Sequence, residues 1–108
     1  MSLLKKATQT LLRIKDRKGM YFQPVNVEMA ETFLQGFRSA LHAVGIPVDQ
    51  SSGRAAFEQR GWKVDTIGVT PSMRAKGLTD MQIMDEHFDA FIEELHLIPD
   101  SSDTTTNA

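Results

Sequence analysis

The chain has 108 residues, enough for one domain with one core, and no cysteine. That excludes disulfides, thiolate catalysis and every cysteine-based zinc or iron–sulfur motif, and it agrees with a cytoplasmic setting. No apolar run approaches the ~20 residues of a membrane span, and the N-terminus lacks the apolar stretch of a secretory signal.

The net charge of −2 conceals a split along the chain. Residues 1–23 hold Lys5, Lys6, Arg13, Lys15, Arg17 and Lys18 against the single acid Asp16, a net of +5. The remainder holds six basic and thirteen acidic side chains, a net of −7. The leading segment can attract phosphate or an acidic surface, whereas the body repels nucleic acid. Its simplest recipient is the acidic body of the same chain, or of a second copy.

In chain order, residues 3–15 form an amphipathic helical pattern. Leu3, Leu4, Ala7, Leu11 and Ile14 share one side, and Lys6, Gln9 and Arg13 the other. Gly19 can end this helix, and Arg17 and Lys18 suit the negative end of its dipole. Residues 20–25 read as an extended linker in which Tyr21 or Phe22 places a ring in the core. Asn26 is a suitable cap for a helix over 27–44. Its apolar side carries Ala30, Phe33, Leu34, Phe37, Ala40, Leu41 and Val44, and its outer side Glu28, Glu31, Gln35, Arg38 and His42. Gly36, beside Phe33 and Ala40, suggests a close helix crossing. Gly45 and Pro47 supply the stop.

Asp49, Ser51 and Ser52 offer caps to a short helix that runs through Arg60, with Ala56 and Phe57 inward, and Gly61 closes it. Trp62, Val64, Ile67 and Val69 alternate loosely, as a lone strand or an irregular apolar connector would. Thr70 as cap, followed by Pro71, opens a short helix that Gly77 ends. The clearest element is the helix over 78–98. Thr79 and Gln82 have the spacing of a capping box, and Leu78 and Ile83 that of a hydrophobic staple. Met81, Met84, Phe88, Phe91, Ile92 and Leu95 repeat near every 3.6 residues, with Asp85, Asp89, Glu93 and Glu94 mostly opposite. Pro99 sets the stop.

The expected fold is mainly α: a small helical bundle or orthogonal helical array of four to five helices, two of them long and amphipathic. The expected division is a basic N-terminal helix or arm over 1–19, a compact helical domain over 20–98, and a disordered polar tail over 99–108. The expected core is Leu11, Ile14, Phe33, Leu34, Phe37, Leu41, Val44, Phe57, Trp62, Met84, Phe88, Phe91, Ile92 and Leu95.

No stretch carries a recognisable catalytic motif, and no cofactor or metal is implied. Asp85, Asp89 and Glu93 form a like-charge ladder whose repulsion costs ~0.2–0.5 kcal/mol per pair unless something basic lies opposite. A solvated face is the plainer account of it, and a docking face for a basic helix such as 3–18 the alternative. Residues 71–94 have helix-turn-helix spacing, but the second helix would offer a groove mostly acids, with Gln82 as its one natural base reader. Glu93 and His96 have the i,i+3 spacing of di-iron bundles without the second copy such a site needs. His87 reads as a histidine packed at the core edge.

These features point to a small helical protein–protein interaction module or scaffold. It would self-associate, or bind a protein partner, through Lys5, Lys6, Arg13, Lys15, Arg17 and Lys18 and through Asp85, Asp89 and Glu93. The alternatives are a nucleic-acid-binding regulator, which the acidic body disfavours, and an accessory subunit of an enzyme.

Overall fold

A computed structural model describes residues 2–99; the tail expected to be disordered lies, apart from Pro99, outside the described residues. Five α-helices follow one another: α1 (Leu3–Asp16), α2 (Val27–Ala43), α3 (Gln50–Gln59), α4 (Thr70–Ala75) and α5 (Asp80–His96), with a 3-10 turn over Lys18–Met20. The mainly helical expectation holds. No strand occurs among the described residues; 62–69 is the irregular connector, with one isolated bridge between Asp65 and Gly68. None of the described helices is long and apolar enough to cross a membrane.

Local chemistry sets the helix starts. Ser2 Oγ accepts from the Lys5 amide, and Asn26 Oδ1 from the Met29 amide. Asp49 with Ser52, and Thr79 with Gln82, form complete capping boxes that satisfy orphan amides in both directions. One cap differs from expectation. Val69, not Thr70, caps α4, so Thr70 lies in the first turn and its hydroxyl serves a tertiary contact described below. At the end of α2, the Gly45 amide bonds the His42 carbonyl and the Ile46 amide bonds that of Leu41. This is a Schellman closure, which needs the positive φ of Gly45.

The other helices pack around α5: α1, α2, α3 and α4 all contact it. Ile83, Met84, His87, Phe88, Ala90, Phe91, Ile92, Glu94 and Leu95 are all buried, so α5 is covered around far more than one stripe. Across from it lie Ala7, Leu11 and Ile14 of α1 and Val27, Ala30, Leu34 and Leu41 of α2. Each large apolar side chain buried there contributes ~1.5–3 kcal/mol of transfer free energy. Aromatic rings continue the core along α2. Phe22 contacts Phe33 at 5.6 Å, Phe33 contacts Phe37 at 6.3 Å, and Phe37 meets Phe91 edge-on at 6.0 Å.

Several positions expected in the core or on an apolar helix face differ. Val44 is 60% exposed, because the Schellman turn reverses the chain there and Ile46 and Val48 fill the interior instead. Met81 is 51% exposed, and the buried face of α5 begins at Ile83. Ala40 is exposed too, and a Cβ at Gly36 would meet nothing within 4 Å, so no helix crosses there. The close approach is at Gly53 of α3, where a Cβ would stand 2.9 Å from Arg38 Nη2. Phe33, Phe37, Phe57 and Trp62 pack against the core but are only partly buried.

Candidate functional site

The acidic ladder of α5 is not a bare solvated face. Lys15 Nζ donates to Asp89 Oδ1 at 2.7 Å, and Lys18 Nζ donates to Asp85 Oδ1 at 2.6 Å and to the Lys15 carbonyl at 2.8 Å. Lys18 is 8% exposed, with its ammonium 5.7 Å from the Phe88 ring centroid. From the other side comes Arg60, the C-cap of α3. Its guanidinium holds Glu86 through Nε and Nη2, bonds Glu93 through Nη1 and lies 3.9 Å from Asp89. The opposing cations offset the like-charge repulsion, so the ladder works as an internal clamp for α1 and α3.

The ionisation of these groups follows. The hydrogen bond to Asp89 raises Lys15 above the ordinary lysine value, and the bond to Glu86 raises Arg60. Arg60 in turn holds Glu86 below the usual carboxylate range, aided by Trp62 Nε1, which donates to Glu86 Oε2 at 2.8 Å. Most of these pairs are partly hydrated, and each contributes ~0–1 kcal/mol.

Of the remaining basic positions, Lys5, Lys6, Arg13 and Arg17 are all exposed. Lys6 and Arg13 are seven residues apart, about 20° from alignment at 100° per residue, and Arg17 continues their line past the end of α1. The structure therefore divides the basic segment: Lys15 and Lys18 hold α1 in place, and the others face outward. At the start of α5, Gln82 Oε1 accepts from the Thr79 amide and Asp80 pairs with Arg74 at 3.1 Å. The one base reader expected of a helix-turn-helix is engaged in the cap.

A second constellation was not anticipated. Between α2, α3, α5 and the 64–69 connector lies a cleft of about 300 Å³. At one end, Arg38 of α2 and Glu94 of α5 form a two-pronged ion pair, with Nη2 to Oε1 at 2.8 Å. Glu94 is 3% exposed and also accepts from Ser52 Oγ. The Arg38 guanidinium stacks on Phe91 at 4.4 Å and donates to the Asp49 carbonyl, so its donors join three helices. Two turns back along the same two helices, a hydrogen-bonded chain joins Glu31 of α2 to His87 of α5 through Thr70. Thr70 Oγ1 donates to Glu31 Oε2 at 3.2 Å and lies 2.9 Å from His87 Nε2.

His87 is buried, with Phe57 edge-on against its ring at 5.2 Å. Burial holds its pKa down at about 4, so the imidazole is neutral near pH 7. Because Thr70 gives its only proton to Glu31, its oxygen accepts from His87, which places the imidazole proton on Nε2. Burial pushes the Glu31 carboxyl up from its ordinary value. No ion pair among the described residues reaches Glu31.

Glu31 and Arg38 were expected on the outer side of α2, and Glu94 opposite the apolar stripe of α5. A signal did exist: Glu31, Gln35 and Arg38 repeat at i, i+4 and i+7 beside the buried Leu34, so one polar stripe borders the core. Whether such a border is wet or covered depends on where α3 lies. No known family, curated protein or solved structure matches the chain, so the functional reading rests on this geometry.

Proposed function

We propose that this protein is a small helical interaction module that docks an acidic partner protein on the outward face of α1. The observation that carries the reading is the division of the basic segment. Lys15 and Lys18 are tied to Asp89 and Asp85, whereas Lys6, Arg13 and Arg17 project from the same helix as an exposed cationic line. Leu3 and Leu12, each about half exposed, flank that line and give an apolar component to the contact. A rigid base strengthens such a surface, because a helix already clamped on α5 loses little further freedom on binding. A cytoplasmic setting belongs to the same reading.

Self-association by the simplest route, basic α1 on the acidic ladder of a second copy, would have to displace the clamps already made within the chain. A separate acidic partner is therefore preferred to a second copy. Nucleic acid is the weaker alternative, since the net −7 of residues 24–108 opposes a polyanion.

The test uses fluorescence anisotropy with a labelled glutamate-rich peptide and a labelled oligonucleotide of matched charge, at low and high salt. The peptide binds at low salt and is released by salt. A Lys6→Glu/Arg13→Glu/Arg17→Glu variant of unchanged helicity does not bind it. Absence of peptide binding at low salt, or tighter binding of the oligonucleotide, refutes the proposal. Light scattering at both salt concentrations reads self-association directly.

A further inference from the structure

The cleft between α2, α3 and α5 has features that the α1 surface does not explain. Its volume, about 300 Å³, is at the lower end of the range of small-molecule sites. Its walls are largely apolar, with Leu34, Phe57, Val64, Val69, Ala90 and Phe91 in the lining. Four formal charges also line it. Two of them, Arg38 and Glu94, cancel one another in their ion pair. Arg54 is exposed, and its Nη2 is tied to the Val64 carbonyl at 2.8 Å. That leaves Glu31, a half-buried carboxylate whose one hydrogen bond among the described residues comes from Thr70. Arg74, whose charge acts on Glu31 without an ion pair between them, is engaged by Asp80.

We infer that the cleft binds a small organic ammonium with an apolar body, its charged head on Glu31 and its hydrocarbon part against Phe57, Leu34 and Phe91. Complementarity decides the sign. A carboxylate on an apolar wall without an ion-pair partner is a costly arrangement, and a cationic donor is what relieves it. Thr70 already bonds Oε2, so Oε1 remains for the ammonium. His87 secures that geometry from behind, since its Nε2–H fixes the direction in which the Thr70 hydroxyl points. An anionic ligand of the same shape meets Glu31 head-on and finds Arg38 neutralised by Glu94. Ligand charge, more than ligand shape, is thus the selecting property.

The test pairs two probes of similar shape and opposite charge, 2-phenylethylamine and 3-phenylpropionate. Each is titrated into the full chain at pH 7 while backbone amide resonances are recorded. The amine shifts the amides of Gly68, Val69 and Ala90 saturably, and the carboxylate does not. Glu31→Gln weakens amine binding at least about tenfold, the size expected for loss of a charge-assisted contact. If that variant does not fold, the two probes on the wild-type chain still decide. No saturable shift with the amine, equal or tighter binding of the carboxylate, or undiminished amine binding by a folded Glu31→Gln chain overturns the inference. The readout is independent of the α1 surface, because the charge-reversed α1 variant retains the cleft and binds the amine as the wild type does.

Discussion

His87 makes the stability of this protein sensitive to mild acid. In the unfolded chain its imidazole takes up a proton near pH 6.5, whereas burial delays protonation in the folded chain to about 4. Between those values the unfolded state binds more protons, so stability falls as pH falls. The full gap is worth roughly 3 kcal/mol at about 1.4 kcal/mol per tenfold change in proton affinity. Integrated between pH 7 and 4.5, the loss is about 2 kcal/mol.

Neighbouring groups act differently. Glu31, raised by burial, binds its proton more readily in the folded state and therefore favours the fold in acid, opposing His87. Glu86, lowered by Arg60, stabilises above the ordinary carboxylate value and loses that contribution only as pH falls below it. A His87→Gln variant isolates the histidine, because glutamine can still donate to Thr70 but does not titrate. Urea unfolding at pH 7 and 4.5 measures the difference. Wild type should lose about 2 kcal/mol more than the variant over this range. Equal losses would show that His87 is hydrated or already charged in the folded protein, and the account of its burial would fail.

Other substitutions test the packing. Arg38→Met strands Glu94 in the interior with Ser52 as its remaining side-chain donor and should lower stability by ~3–5 kcal/mol in urea unfolding. The double variant Arg38→Met/Glu94→Leu should recover most of that loss; if it is as unstable as the single variant, the buried charge is not the cause. Gly53→Ala sets two effects against each other. Better helix propensity favours alanine by ~1 kcal/mol, but the new Cβ would stand 2.9 Å from an Arg38 nitrogen that is fixed by Glu94. The overlap should prevail, giving a net loss of ~1 kcal/mol, and a higher melting temperature would contradict the close approach. Phe88→Ala, at a fully buried position on the central helix, should cost ~3–5 kcal/mol by the same assay.

How much of this was legible in sequence follows from the range of each interaction. The Thr79–Gln82 capping box, the Gly45 stop and the stripe from Met84 to Leu95 involve residues within a few positions of one another, and local chemistry sufficed to place them. The apolar stripe of α2 was drawn one turn too far at Val44, because periodicity cannot show that a Schellman turn hands the next interior place to Ile46. Gly36 misled for a related reason. A glycine among apolar residues suggests close approach, yet contact requires a second helix at that height, and the tight approach occurs at Gly53 instead.

The charged residues show the same distinction more sharply. The repulsion in the Asp85, Asp89 and Glu93 ladder was visible, and the +5/−7 split even named a source of compensation. The cation opposite Glu93 is Arg60, which no charge count singles out, since it acts only because α3 ends beside α5. The cleft lies further beyond local reasoning. Glu31, Thr70 and His87 belong to three different helices, and Thr70 contributes because Val69 takes the capping position and releases its hydroxyl. A threonine before proline is read as a cap by default. When the cap falls one residue earlier, that same hydroxyl becomes the hinge between a buried histidine and a carboxylate that makes no ion pair among the described residues. The Glu31–Thr70–His87 chain thus arises where a local rule is displaced by a single position.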